Sequence, residues 1–175
     1  MLTVRVFFFF IFLSVPAYAG VSALGFEIGT ADFEQVRTAL TEQGNVEHAG
    51  INKYSGGPML LAPGSLFQIE GLNSALFIFD ENAKLAGILM KMGKYKFNDI
   101  FGHLSSKYKL ISKQIPFVGD SSAKFQQDDV HIEVDAPHLS FEMTVLYMKK
   151  TLLSKINSES SQEKKEQKAK EKSMF

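Results

Sequence analysis

Three groups of side chains in this sequence have types and spacing that could do chemistry. The first is Gly119-Asp120-Ser121 followed by Asp135-x-x-His138. A serine nucleophile needs a histidine base and a carboxylate to orient it, and all three types are present. Only sixteen residues separate Ser121 from His138, and Gly119-Asp120-Ser121-Ser122 is also ordinary turn composition. The second group is Asp128, Asp129, His131, Glu133, Asp135 and His138, whose carboxylates and imidazoles suit hard cations or zinc. His131, Glu133 and Asp135 recur at period two, so on a strand they share a face with Cβ atoms ~6.6–7 Å apart. Bonds of ~2.0–2.2 Å to one ion would require them to lean inward. A solvated strand face explains them more simply, so His131, Glu133, Asp135 and His138 stay candidates only, and no cofactor is expected. The third group is the stretch 54–64, Tyr-Ser-Gly-Gly-Pro-Met-Leu-Leu-Ala-Pro-Gly. It lacks the Gly-Lys-Ser/Thr ending and following helix of a phosphate loop. It reads as a flexible insertion with an apolar centre. Met59, Leu60 and Leu61 are therefore candidates for a partner-binding surface, the alternative being a loop folded onto the core. His48 and His103 stand alone and receive no role.

These residues must be positioned by elements that the hydrophobic pattern outlines. Thr30 is a plausible N-cap for a helix bearing Phe33, Val36 and Leu40 at i, i+3, i+7, with Asp32 and Glu34 in its first turn and Gly44 as its stop. A second helix carries Phe97, Ile100, Phe101, Leu104 and Tyr108 on one face, with Lys107 and Lys109 at its end. Strands are expected at 46–54, 67–71, 75–80 and 85–92 after the first helix. After the second they are expected at 109–115, 123–127, 130–135 and 139–148. Val130, Ile132 and Val134 alternate with His131, Glu133 and Asp135, the mark of a half-buried strand. Short turns between alternating strands imply antiparallel hairpins. The expected fold is α+β: antiparallel sheet with helices on one face, in two helix-plus-hairpin units spanning 24–93 and 94–148. The spacing Phe-x-x-(Val/Ile)-x-x-x-Leu, shared by the two helices, suggests an internal repeat. Leu152, Leu153 and Ile156 then form one or two docking turns, and residues 158–172 carry no apolar side chain larger than Ala169. Segment 151–175 is expected to be a charged tail, helical and frayed or disordered.

Composition sets the boundaries. The chain has 175 residues, 19 basic and 19 acidic side chains and no Cys or Trp. Balanced charge gives no steering toward nucleic acid. Without Cys there is no disulfide, thiolate nucleophile, Cys-ligated zinc or lipidated Cys. Residues 1–19 combine Arg5, an apolar run from Val6 to Leu13 and an Ala17-Tyr18-Ala19 ending, the three parts of a secretory signal. The run is shorter than the ~20 apolar residues of a spanning helix. Cleavage after Ala19 is expected, leaving an α+β domain over 20–150 with no membrane span, in the periplasm or outside the cell.

The opening Gly29-Thr30, with Val36 and Leu40 and the antiparallel strands behind them, resembles the start of small periplasmic α+β domains. The β-lactamase-inhibitor-protein-like group is the nearest in kind, with small lipoproteins of outer-membrane assembly as relatives. The whole domain also resembles uncharacterised exported bacterial α+β proteins. This chain departs from both named groups in lacking an anchoring Cys and a stapling Cys pair. The resemblance implies a fold type and an envelope setting, and no functional residue. The strings around Ser121 and His138 separately resemble the Gly-Asp-Ser hydrolase blocks. There, however, the Ser block opens a parallel α/β domain, whereas here it begins at position 119 after no β-α-β rhythm. The expectation is a non-enzymatic exported protein with no catalytic residue, binding another envelope protein or itself. A carrier of a small apolar ligand between sheet and helices, lined by Phe67, Phe77, Phe79, Phe101 and Phe141, is the alternative. A Gly-Asp-Ser hydrolase is the remote one.

Overall fold

The computed structural model describes residues 20–174, so the expected export signal at 1–19 lies outside the described residues. A small hairpin of β1 (Ser22–Ala23) and β2 (Phe26–Glu27) leads into α1 (Phe33–Thr41). Four strands follow: β3 (Glu47–Ile51), β4 (Gly56–Pro63), β5 (Leu72–Asp80) and β6 (Leu85–Gly93). Then come α2 (Phe97–Lys107) and four more: β7 (Lys109–Gln114), β8 (Ser121–Gln127), β9 (Val130–Ala136) and β10 (Glu142–Lys149). Helix α3 (Lys150–Lys172) ends the described chain. The eight strands from β3 onward form one sheet in the order β3-β4-β5-β6-β10-β9-β8-β7, every neighbouring pair antiparallel. The fold is α+β, and the order helix-then-four-strands occurs twice along the chain. The two meanders join where β6 meets β10, placing β3 and β7 at opposite edges.

Alternation along the strands sends side chains to two faces, each with its own cover. Phe77, Phe79, Ile88, Phe125, Ile132, Val134 and Val145 are fully or almost fully buried on the first face, with Val36 and Leu40 of α1 and Phe97 and Leu104 of α2. The aromatic rings meet edge to face between Phe33 and Phe79 at 5.2 Å, tilted between Phe101 and Phe125 at 5.9 Å and stacked between Phe97 and Phe101 at 6.2 Å. The second face is smaller. Ile78, Ala86 and Met148 bury against Leu152, with Leu153 and Ile156 packed beside them. These residues are the first two turns of α3, whose remaining turns run outward as a charged helix tied to the sheet by the Lys53–Glu163 ion pair.

Several sequence expectations are corrected. The stretch 54–64 is not a flexible insertion: most of it is strand β4, paired with β3 on one side and β5 on the other. Its Gly-Gly-Pro start is accommodated by irregular pairing between Gly56 and Met59, and Pro58 sits opposite the terminal residue of β3, where a missing N–H costs little. The stretch 67–71, read as a strand, is instead the end of a 3-10 turn over Gly64–Phe67 and a loop in which Gln68 has a left-handed φ of 49°. The N-cap of α1 is Asp32 rather than Thr30: its carboxylate accepts from the Gln35 backbone N–H at 2.9 Å. The phenylalanines proposed to line a ligand space do not share one. Phe77 and Phe79 are close-packed at 0 % exposure, while Phe141 lies on the surface.

Candidate functional site

Three connections leave the sheet at the same end. Register fixes this: Ser121 pairs with Ala136, and Glu142 pairs with Gly93. The β7–β8 loop (115–120), the β9–β10 loop (137–141) and the turn over Lys94–Lys96 are therefore neighbours. The sequence there is apolar where it is not turn-forming: Ile115, Phe117, Val118, Leu139 and Phe141, with Tyr95 alongside. Folding buries none of them. Phe117 is 104 % exposed, Leu139 95 % and Phe141 96 %. Single exposed apolar residues are normal, but a cluster of large ones at one end of a monomer marks an interaction site.

The second of these loops, 137–141, is held firmly although its apolar side chains reach into solvent, and the first is joined to it at Asp120. Asp120 Oδ1 accepts the His138 backbone N–H at 2.7 Å, joining the two loops. The Lys94 backbone N–H donates to the Phe141 carbonyl at 2.8 Å, and the Lys94 ammonium donates to the carbonyls of Pro137 and His138. Within the second loop, Ser140 N–H donates to the Pro137 carbonyl and Ser140 Oγ accepts from the Glu142 N–H. Asn73 Nδ2 donates to the Glu142 carboxylate at 2.6 Å. Next to Lys94, the Lys96 ammonium lies 2.8 Å from Asp99 and 3.1 Å from Glu70. Asp99 first and Glu70 second hold Lys96 above its ordinary value, and Lys96 holds Asp99 below its own. A fixed backbone under exposed apolar tips lowers the ordering entropy that binding would otherwise cost.

The apolar end runs on into a free edge. Among the described residues strand β7 pairs only with β8, and all six of its residues are exposed. A bulge between Leu110 and Ser112 leaves Ile111 half out in solvent. The outward row of backbone N–H and C=O groups can be satisfied by another strand. Charge along β7 itself has one sign: the strand carries Lys109 and Lys113 and no Asp or Glu.

The residues singled out from sequence lie elsewhere or serve the backbone. Leu60 is buried on the first face, and Met59 packs against the second-face cluster, so residues 59–61 are internal to the sheet rather than displayed on a loop. Ser121 opens strand β8 in an antiparallel sheet, not the strand-to-helix turn a hydrolase nucleophile needs. The Asp120 carboxylate accepts from the His138 backbone N–H, and among the described residues no hydrogen bond joins the His138 ring to Ser121 or to Asp135. On β9, His131 Nε2 lies 3.0 Å from Glu133 Oε2, while Glu133 Oε1 lies 3.1 Å from Lys124 Nζ. Glu133 is thus engaged in a cross-strand ion pair, Asp135 is exposed and His138 belongs to the next loop. Among the described residues no three His, Asp or Glu side chains gather closely enough to hold a metal ion. Phe117 falls in a turn-rich stretch of the sequence, and Leu139 and Phe141, expected to open a strand at 139, lie instead in the loop before β10, which starts at Glu142. The available signal was the run Ile115-Pro116-Phe117-Val118-Gly119, apolar where a hairpin turn is ordinarily polar.

No family model matches this chain, and no curated protein and no solved structure matches it.

Proposed function

We propose that this chain is an exported, non-enzymatic protein of the periplasm or cell exterior that binds another envelope protein along β7 and the adjoining loop tips. The observation that carries the reading is the near-complete exposure of Phe117, Leu139 and Phe141 at one end of the sheet, Leu139 and Phe141 on a loop whose backbone is tied down. The free edge of β7 favours a polypeptide over a lipid surface, because only another strand satisfies a row of backbone donors and acceptors. The two lysines of β7, Lys109 and Lys113, favour a partner segment that is extended, apolar at alternate positions and acidic at its flanks. Such a segment adds a ninth strand beside β7 and packs its apolar side chains on Ile111, Ile115 and Phe117. The twice-occurring helix-then-four-strands order, with Phe33, Val36 and Leu40 answering Phe97, Ile100 and Leu104, supports descent from one duplicated unit.

The test is site-specific photocrosslinking in living cells. A photoreactive residue is placed at Ile111 or Phe117, and in the control at Glu81, in the β5–β6 turn at the opposite end of the sheet. The expected result is one common protein captured from 111 and 117 and absent from 81, with the contact mapping to an acidic, extended segment. Capture of lipid alone, of this chain alone, or equally from all three positions overturns the reading. Retention of an uncut 1–19 on a cytosolic product, seen by N-terminal sequencing of the purified protein, overturns the export half of it.

A further inference from the structure

A cavity of about 250 Å³ lies over the centre of the sheet, between α2 and the β1–β2 hairpin. Its floor is Met90 and Val145, from the two strands where the meanders join. Its walls include Leu104 of α2 and Leu24 of the hairpin turn. Polar side chains are few: Tyr147 is buried in the floor, and Ser22 and His103 are exposed at the rim. This volume exceeds the ~150 Å³ of a dry engineered cavity that takes benzene and falls just below the ~300 Å³ at which drug-sized pockets begin. A lining this apolar offers water too few partners to hold it in place.

The backbone at Leu24 is a second, independent mark. Leu24 and Gly25 form the two-residue turn between β1 and β2, with φ of 53° and 85°. Both values are positive, the type I′ pattern in which Asn, Asp or Gly is favoured first. A branched apolar residue is strained at that position. Strain of this kind persists where the side chain is needed. The Leu24 side chain lines this cavity and also the wider depression beside Phe67 and Gln68, so it forms the partition between the two.

We propose that the cavity binds a small amphiphile, a single short aliphatic chain with one hydrogen-bonding end group, the chain lying on Met90 and Val145, the end group at the rim beside His103, and Leu24 closing over it. The site is distinct from the β7 face and uses none of its residues. Burial foremost, with the Tyr108 hydroxyl as neighbour, keeps the Tyr147 phenol protonated well beyond its ordinary range, so the floor stays uncharged. An aliphatic chain is therefore not forced beside an anion.

Octanoate is the probe. In a titration of the purified isotopically labelled protein followed by amide NMR, saturable shifts are expected at Met90, Leu104 and Val145. Val145→Phe, which fills the floor, should weaken binding about tenfold or more. Leu24→Asn relaxes the turn and removes the cover. It should leave the thermal midpoint unchanged or higher while weakening octanoate about tenfold. The proposal fails if no saturable shift occurs at these amides at millimolar octanoate. It fails equally if shifts fall only at 115–118 and 139–141, which would be adhesion to the exposed loops. If Val145→Phe does not fold, Leu24→Asn alone decides: native affinity in that variant overturns the site.

Discussion

One buried and two exposed phenylalanines, substituted with opposite expected outcomes, test the division between core and docking face. Phe125 is 0 % exposed, in mid-β8, opposite Ile132 of β9 and 5.9 Å from the Phe101 ring. Truncating a fully buried Phe to Ala costs about 3–5 kcal/mol, the lost transfer energy plus the cavity it leaves. At about 2–4 °C per kcal/mol for a domain of this size, Phe125→Ala should lower the midpoint by about 6–20 °C. Phe117 and Phe141 are as aromatic and as large, but at 104 % and 96 % exposure folding removes none of their surface from water. Their replacement by Ser forfeits no burial and should stay within about 0.5 kcal/mol, or about 2 °C, of the parent. The double variant Phe117→Ser/Phe141→Ser should fold and melt like the parent, remain soluble to higher concentration, and lose partner capture from position 111. The assay is a thermal melt at several protein concentrations beside sedimentation velocity. A loss above about 2 kcal/mol at every concentration would mean that these rings pack inside the molecule and that the reasoning is wrong. A loss that grows with protein concentration would mean that the rings bury in a second copy, and the envelope partner would be replaced by self-association.

Other perturbations bear on individual elements. Asp32→Ala removes the side chain that accepts from the Gln35 N–H and should cost about 1 kcal/mol, read by denaturant melts. Leu152→Ala should cost about 2–3 kcal/mol, because this side chain seals the second face, whereas truncation after Asn157 should leave the midpoint unchanged, since the removed turns are anchored by an exposed ion pair alone. The Tyr147 phenol is raised in the folded chain above its ordinary value of 10.0, chiefly by burial. The folded state therefore holds this proton more tightly than the unfolded chain does. That stabilisation is complete below about pH 10 and is lost progressively as pH rises above it. Tyr147→Phe should flatten the alkaline limb of the stability–pH curve, and spectrophotometric titration should show one fewer phenol resisting ionisation.

What the sequence disclosed depended on whether the deciding interaction is local. The stripe Phe33, Val36, Leu40 and the alternation from Val130 to Asp135 are periodic over their own lengths, and both elements stand where their patterns place them. The cap at Asp32 was misassigned to Thr30 because both residues can accept a backbone bond, and only the path out of the β1–β2 hairpin selects between them. Strand β4 was hidden for a related reason. Gly56, Gly57, Pro58, Pro63 and Gly64 are turn formers by local preference, and the partners that override it, β3 and β5, lie elsewhere in the chain. The candidate site was least legible. Met59, Leu60 and Leu61 were conspicuous as an apolar run and became sheet interior. Phe117 is inconspicuous in a turn and Leu139 at the head of an expected strand, and both are surface. Exposure is set by which strands pair, and no window around Phe117 contains that information.

The two edges of the sheet also argue for where binding occurs. An open antiparallel sheet has two rows of unpaired backbone groups, and chains that must stay apart blunt both. Here β3 is blunted: it is short, its pairing is irregular between His48 and Ile51, Gly50 takes a φ of 80°, and the His48 ring packs against Phe33 at 6.0 Å. The β7 edge has one bulge and two lysines, which discourage indiscriminate pairing but leave Ser112–Gln114 in regular register beside the apolar tips. If solubility alone had shaped this surface, the cheapest substitutions available, Phe117, Leu139 or Phe141 to any polar residue, would cost no stability, since none of these side chains is buried. The presence of Phe117 beside the β7 edge, and of Leu139 and Phe141 on the neighbouring loop held by Lys94, Asp120 and Ser140, is accounted for by a partner strand that β7 aligns and the loop tips grip.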